Sequence, residues 1–446
     1  VPIAHAPQGG KPKEVTMCIL SVLSLCMATI AEPTYSGSVA ALLHKNCAGC
    51  HRSGEVGPFP LISYEDARKR AGFIAKQVRA KKMPPWKAEA GHGEFFDERR
   101  LTEAEISTLE AWAAAGAPRG DASAEPAVPT FTDGWQLGKP DLIVRMPVAF
   151  TIPADGRDIY QIFVMPSGLT ETRTVAAMEF RPGNRRVVHH AIAIVDSTGT
   201  ARRRDAATPE PGYPTFGGFG ILPTGFLGGW APGNLPHRLQ EGMGRELPAG
   251  ADIVVQIHYH PTGKPESDRS ELGLYFTPKP AAKLVRNLPL VSRDIDIPAG
   301  ESAYKRMVRF TTPEQLTVVG IMPHMHLLGR EMKTRAIKPD GSEIPLVWIR
   351  DWDFNWQDTY LYRKPITVPA GTRFEVDAVY DNSAANPRNP QSPPKRVVWG
   401  EQTENEMCVC FMAVVTKDNA AAVKLRQEFF KQLVTPSMIL RFLGGD

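Results

Sequence analysis

The stretch from Leu316 to Gly329 reads LTVVGIMPHMHLLG. Its first half is β-branched and aliphatic, the composition of a buried strand. Its second half ends that strand at Pro323 and sets His324 and His326 two positions apart. Residues i and i+2 of an extended chain share a face, so both imidazoles can reach one ion. Working outward, two further β-like runs end in histidine. Arg186–Val195 carries His189 and His190, and Ile253–Tyr259 carries His258, with His260 just beyond. Six of the chain's 11 histidines fall in these three groups. Around them the pattern alternates, with Gly and Pro turns about every ten residues, which predicts two antiparallel β-sandwich domains over 136–285 and 286–446.

Taken singly, a histidine is more often a core or surface residue than a ligand; three clusters reverse that expectation. Adjacent His189 and His190 point to opposite faces of a regular strand, so both meet one ion only at a strand end or bulge. His258 offers a third imidazole from a neighbouring strand, whereas His260, beside a turn, reads as solvated. No carboxylate accompanies the groups, which argues against a non-haem iron triad. Three imidazoles suit zinc and copper alike. A nearby thioether favours Cu(I), and Met325, Met407 and Met412 are the candidates.

The amino-terminal third reads differently. Cys47-Ala48-Gly49-Cys50-His51 places two thiols three positions apart with a histidine adjoining, the pattern of covalent haem attachment with His51 as axial ligand. A zinc half-site would need a second ligand pair, and a redox dithiol has no use for His51. Residues 36–46 and Ala104–Ala115 read as helices flanking the motif, and Met83, stiffened by Pro84 and Pro85, is the candidate sixth iron ligand. His44 and His92 are weaker alternatives. A small all-α cytochrome c domain is therefore expected over 36–120, followed by an Ala/Pro-rich linker over 121–135. Upstream, Lys11 and Lys13 precede a mostly apolar run from Met17 to Ala31, too short to span a bilayer. We expect residues 1–31 to be a signal peptide, the mature form to lack a transmembrane span, and the protein to be periplasmic or secreted. Cys18 and Cys26 fall in that segment; Cys47, Cys50, Cys408 and Cys410 are too few for a disulfide framework. A net charge of +4 over 446 residues leaves no electrostatic footprint for nucleic acid.

From about Asp141 to Val415 the chain resembles the type II copper, ascorbate-dependent monooxygenases, which include peptidylglycine α-hydroxylating and dopamine β-monooxygenases. The resemblance is carried by Val187-Val188-His189-His190, Gln256-Ile257-His258-Tyr259, Pro323-His324-Met325-His326-Leu327-Leu328-Gly329 and Glu406-Met407-Cys408. It implies two jelly-roll-like domains across a solvent cleft, each with one copper ion. His189, His190 and His258 would form an electron-storing site, and His324, His326 and Met407 a dioxygen-binding one, with Gln256 near the path between them. It implies dioxygen as co-substrate and insertion of one oxygen atom into a C–H bond, the other leaving as water.

Departures from the pattern bear on the substrate. The arginine that anchors a peptide carboxylate two residues before the His-X-His pair is Met322 here, and the asparagine and tyrosine after the methionine are Val409 and Phe411. These positions predict a small-molecule substrate that is apolar or weakly polar near the reacting carbon. Cys408 and Cys410, on the opposite strand face, are expected to be buried thiols. The attached haem implies an electron donor: a soluble cytochrome, a quinol-linked carrier or a small reductant. Two other classes compete with the enzyme: a non-hydroxylating haem–copper electron-transfer or copper-holding protein, and a scaffold with structural metals. The tryptophan-rich stretch Trp348–Trp356 reads as aromatic packing.

Overall fold

A computed structural model of the chain describes residues 32–132, 134–215, 218–400 and 402–433. The expected export segment, residues 1–31, lies outside these. Most of the described chain is β-sheet. An eight-stranded sheet runs, in spatial order, through Leu142–Arg145, Glu271–Phe276, Arg173–Arg181, Met243–Leu247, Lys283–Ser292, Cys408–Thr416, Leu316–His324 and Tyr360–Val368. Its first half is covered by a five-stranded sheet whose centre is Asp252–Tyr259, paired with Ile159–Pro166 on one side and Val188–Asp196 on the other. Asp252–Tyr259 is buried at all eight positions, which is why its apolar run occupies the middle of a sheet. Its second half is covered by the four strands Tyr304–Thr311, Arg373–Tyr380, Gly329–Ile337 and Glu343–Ile349. The edge strand Tyr304–Thr311 alternates between exposed and more buried positions, as a strand with one wet face should.

Two sandwich cores result. Phe163, Val255 and Ile257 meet Phe180, Leu272 and Leu274 in the first. Phe310, Met332 and Phe374 meet Leu290, Ile321 and Met412 in the second. Each such fully buried side chain contributes about 1.5–3 kcal/mol. The sheet joining the halves is antiparallel except at one seam, where Lys283 and Leu284 pair in parallel with Met243 and Gly244. Lys283–Ser292 thus bonds to strands of both halves.

Ahead of the sheets lie the helices Tyr35–Val39 (π) and Ala40–Asn46, then Tyr64–Arg68, Ala71–Arg79 and Glu103–Ala114. They pack around Leu43, Ile74, Leu109 and a fully buried Trp112. Thr102 starts the last of them with a capping box, accepting from the Glu105 N–H while the Glu105 carboxylate accepts from the Thr102 N–H, an arrangement worth about 1 kcal/mol. The segment between the third and fourth α-helices packs on the second sandwich, through bridges Ala88–Ile349 and Phe95–Tyr362 and ion pairs Lys87–Asp351 (3.0 Å) and Arg99–Asp358 (2.8 Å). Among the described residues no helix is long and apolar enough to cross a membrane.

Candidate metal centres

The first histidine cluster is made by one irregular strand pair. Val188–Asp196 and Asp252–Tyr259 run antiparallel with His190 opposite His258, and their register shifts between Val188 and His190. The extra residue at the shift is His189, so the bulge supplies the condition under which neighbouring imidazoles converge. Nδ1 of His190 lies 3.2 Å from Nδ1 of His189 and 3.3 Å from Nδ1 of His258. Three ligands about 2.0 Å from one ion in a trigonal plane would stand about 3.4 Å apart. Among the described residues these three form the group of His, Cys, Asp or Glu donor atoms gathered within 4.8 Å. The donor set therefore fits a metal ion.

Its surroundings keep the imidazoles in the ligating form. Burial, then neighbouring His258, lowers the His189 pKa to about 4, and burial pushes His190 well below the ordinary value. A neutral imidazole keeps the lone pair that a metal needs. Asp158 stands behind His258, its Oδ2 2.9 Å from Nε2, close but not aligned as a hydrogen bond, and its Oδ1 2.7 Å from Nδ1 of His260. Burial pushes the Asp158 carboxyl up, but His258 and His260 outweigh it and hold it well below the usual carboxylate range. His260 is thus a partner of Asp158 on the cluster's outer side. Tyr160 stacks on His258 at 4.2 Å. A carboxylate at the outer nitrogen fixes ring orientation, so Nδ1 of His258 faces the cluster.

The second cluster uses the other nitrogens. His324 ends its strand opposite Val409, and beyond the two strand ends the Glu406 carboxylate accepts from both the His326 and the Met407 N–H. Nδ1 of His324 is 2.5 Å from Gln357 Oε1, and Nδ1 of His326 is 3.1 Å from the Asn405 carbonyl. Each ring therefore has Nε2 left for a ligand, and the rings lie 5.1 Å apart. Burial pushes His326 to about 3 and lowers His324 as well. Met407 is half-buried, its N–H on Glu406 Oε2 and its carbonyl accepting from the Tyr380 hydroxyl. Met325 and Met412 are fully buried in the sandwich core.

Glu406 is a fastening that the sequence did not announce. Fully buried, it accepts the N–H groups of His326 (2.9 Å), Leu328 (2.6 Å) and Met407 (3.2 Å). One carboxylate thereby ties the turn bearing His326 to the backbone bearing Met407. Burial pushes its pKa up, to about 8, against the downward pull of those amides. The stretch read as aromatic packing supplies two more supports and Gln357, just beyond it, a third: Trp352 Nε1 donates to the His326 carbonyl, Phe354 stands between the clusters, and Gln357 holds His324. The Phe354 ring stacks on His189 at 5.6 Å and meets His326 edge-on at 5.6 Å. The ring centroids of His189 and His326 are therefore separated by at most twice 5.6 Å.

Gln256 lies one strand position pair before His258, buried, with Nε2 donating to the Gly218 carbonyl at 2.8 Å. Among the described residues no hydrogen bond joins it to either cluster. At Cys47–His51, Nδ1 of His51 is bound to the Phe59 carbonyl at 3.0 Å and its ring packs on Phe59, so Nε2 is the free donor. Gly57 allows this turn: a Cβ there would sit 2.7 Å from the Cys50 carbonyl and 2.8 Å from His51 Nδ1. Cys47 and Cys50 are free thiols; burial pushes Cys47 to about 12 and raises Cys50. Met83 is half-buried in the loop after Ala71–Arg79, its N–H on the Gln77 carbonyl. His44 is bound to the Ile62 carbonyl and His92 packs on Trp348.

A cavity of about 170 Å³, open to solvent, is lined by residues of both sandwiches and of the Cys47–His51 turn. Met322 and Phe411 wall it from the strand face that carries His324, Gly49 and Cys50 form part of its rim, and Met178, Trp230 and Arg245 line the opposite side. Val409 and Phe411 occupy that face, while Cys408 and Cys410 point away into the core, fully buried.

Residues 290–428 match the family described as copper type II ascorbate-dependent monooxygenase, C-terminal domain. His324, His326 and Met407 all fall within that match, which does not reach the Cys47–His51 turn. A chicken (Gallus gallus) protein, DBH-like monooxygenase protein 1, is 22% identical over 224 residues, covering 46% of this chain and 35% of that relative. The chain thus spans about a third of that relative's length. Among solved structures, the VP2 subviral particle of infectious bursal disease virus is 10% identical with a TM-score of 0.19, covering 64% of this chain and 73% of that one. The major capsid protein P2 of bacteriophage PM2 is 8% identical with a TM-score of 0.25, covering 62% and 98%. At such scores these likenesses carry no argument.

Proposed function

We propose that the chain is a copper-dependent monooxygenase that hydroxylates a C–H bond with dioxygen, with electrons delivered through a c-type haem on the same polypeptide. The observation that carries this reading is the pair of histidine clusters with opposite nitrogens free, Nδ1 in one and Nε2 in the other, on either side of Phe354. His189, His190 and His258 would hold one copper ion; His324 and His326, with the Met407 thioether, would hold the other. Copper at these sites supplies dioxygen binding and one-electron chemistry. A thioether in the second donor set favours copper over zinc. Asp158, Gln357 and the Asn405 carbonyl orient the imidazoles, and Glu406 fixes the spacing of His326 and Met407.

For the haem, Cys47 and Cys50 would carry the covalent links, His51 would ligate through Nε2, and Met83 is the candidate on the other side. The bond from His51 to the Phe59 carbonyl supports this, since an axial histidine is held by its second nitrogen. In this reading residues 1–31 direct export to the periplasm or medium and 36–120 form the cytochrome unit. Residues 121–135 link it to the copper units 136–285 and 286–446. A soluble cytochrome, a quinol-linked carrier or a small reductant then feeds the haem.

The test is anaerobic reduction of the full-length protein, then addition of dioxygen while haem oxidation is followed with copper loaded or removed. Rapid copper-dependent oxidation that is lost in Met407→Leu is the expected result. Oxidation indifferent to copper and to Met407 would leave a carrier.

A further inference from the structure

The cavity between the sandwiches and the Cys47–His51 turn is lined by one arginine, Arg245, with a shielded nitrogen that has no hydrogen-bond partner among the described residues. Its lining carboxylates are all engaged. Glu55 pairs with Arg52 at 3.0 Å and Arg185 at 2.8 Å. Glu179 accepts from the N–H groups of Gln136 and Leu137 and from the Tyr275 hydroxyl. Asp358 accepts from Arg99 and Asn234. Other lining cations also have company: Arg185 is bound to Glu55, Arg286 donates to Asn419 Oδ1 at 2.9 Å, and Arg181 lies over Trp135.

Arg245 does not. Its Nε donates to the Leu227 carbonyl at 2.9 Å, but its Nη1 is shielded from water without a hydrogen-bond partner. Among the described residues no carboxylate forms an ion pair with it, and desolvation is what lowers its pKa, to about 10. A guanidinium stays charged at neutral pH, and leaving one half-buried with a nitrogen shielded from water and unbonded is costly. Around it the walls are apolar: Met178, Trp230, Met322 and Phe411.

We infer that Arg245 is the seat of a carboxylate carried on an apolar body, which lies in this cavity against Met322 and Phe411. The inference rests on the proposed function, since Met322, two residues before His324 on the same strand face, lines the cavity, and it deepens that reading by naming the class of ligand. The anchoring charge comes from the first sandwich, while the face bearing His324 belongs to the second. Met322, where the resembled family has its carboxylate-binding arginine, is left as wall. A ligand held by its acid end at Arg245 then lies across the joint, its apolar portion along the strand face of His324. A carboxylate of this kind has two sources: an organic acid entering from solvent, or a propionate of haem attached at Cys50 on the rim.

The experiment uses the full-length protein as isolated, with 4-phenylbutyrate and its amide as probes, read by calorimetry, alongside the haem midpoint potential. Arg245→Met and Arg245→Lys are compared with the parent. If the acid enters from solvent, the parent binds phenylbutyrate at least about tenfold tighter than the amide. Arg245→Met then abolishes that preference, Arg245→Lys keeps part of it, and the potential is unchanged. If the partner is a propionate, the parent shows no preference, Arg245→Met lowers the midpoint potential, and Arg245→Lys restores most of it. The inference is overturned if a preference survives Arg245→Met, or if neither preference nor potential depends on residue 245. Should Arg245→Met fail to fold, Arg245→Gln, which removes the charge but keeps a hydrogen-bonding side chain, replaces it in both arms with the same expected outcomes. Neither readout requires turnover, so a chain that hydroxylates nothing would fail the proposed function and leave this result standing.

Discussion

Glu406→Gln is the substitution that most directly tests how the second cluster is held. In the parent, Oε2 accepts from His326 and Met407 and Oε1 accepts from Leu328, at 2.6 to 3.2 Å. Glutamine keeps the shape but turns one acceptor into a donor, so at least one buried amide loses its partner and meets an N–H instead. An unsatisfied buried amide costs about 1–3 kcal/mol, and because the Glu406 carboxyl, pushed up to about 8, is largely uncharged at pH 7, no lost charge adds to it, so we expect a destabilisation of about 1–3 kcal/mol. Glu406→Ala, which strips the acceptor from three amides, should cost more. Urea unfolding reads the effect as a lower midpoint with an unchanged slope, because the surface exposed on unfolding is the same. A second readout is local: with the His326 turn released from Met407, the protein should bind one copper ion firmly and the other weakly. If Glu406→Gln stays within about 0.5 kcal/mol of the parent, as a surface change would, and keeps both ions, Glu406 is not the fastening described.

Other outcomes follow from the same geometry. His190→Ala and His324→Ala should each remove one equivalent of bound copper, counted by metal analysis, while leaving the other, since the clusters share no ligand. Phe354→Ala removes a ring that is 9% exposed and should cost about 3 kcal/mol in urea unfolding, the low end for a buried phenylalanine. Glu375 is buried, yet Arg335, Arg309 and Arg373 outweigh that burial and hold its carboxyl below the usual range. Its folded pKa is depressed, so its stabilising contribution is present above the unfolded value of 4.5 and lost as pH falls. Thermal unfolding of Glu375→Gln should therefore show a shallower acid limb than the parent.

The histidine groups stood out because histidine is scarce and its clusters end strands; spacing paired His324 with His326, while the place of Met407 beside them came from the family resemblance. His324 and His326 needed only the two-residue period of a strand. His189 and His190 needed a bulge, which sequence states as a condition and the register shift at Val188–His190 fulfils. The supports were not legible. Asp158 lies 100 positions before His258 and Gln357 lies 33 after His324, common residues with no local pattern, and Glu406, 80 after His326, stood in a quoted motif without its anchoring role being readable there. Phe354 and Trp352 sat in a stretch whose aromatic content fits ordinary packing equally well. Arg245 escaped because its isolation becomes visible only when the partners of every neighbouring carboxylate are known. The helices Tyr64–Arg68 and Ala71–Arg79, short and interrupted, offered too little periodicity to stand out.

The supports also explain why the clusters present different nitrogens. An imidazole has two, and whichever is taken from behind leaves the other for a metal. Asp158 stands at the Nε2 side of His258, so that cluster converges on Nδ1; Gln357 and the Asn405 carbonyl take Nδ1 of His324 and His326, so that cluster presents Nε2. Several of these supports reach across the molecule. Thr403, from the segment leading to Glu406, donates to Asp158 Oδ2 at 3.1 Å, and Phe354 lies against His189. The loops that orient the second cluster are thus the same loops that touch the first. The separation of the two clusters is set by contacts between neighbouring loops, and any rotation of one sandwich against the other must first break the Thr403–Asp158 bond and unstack Phe354.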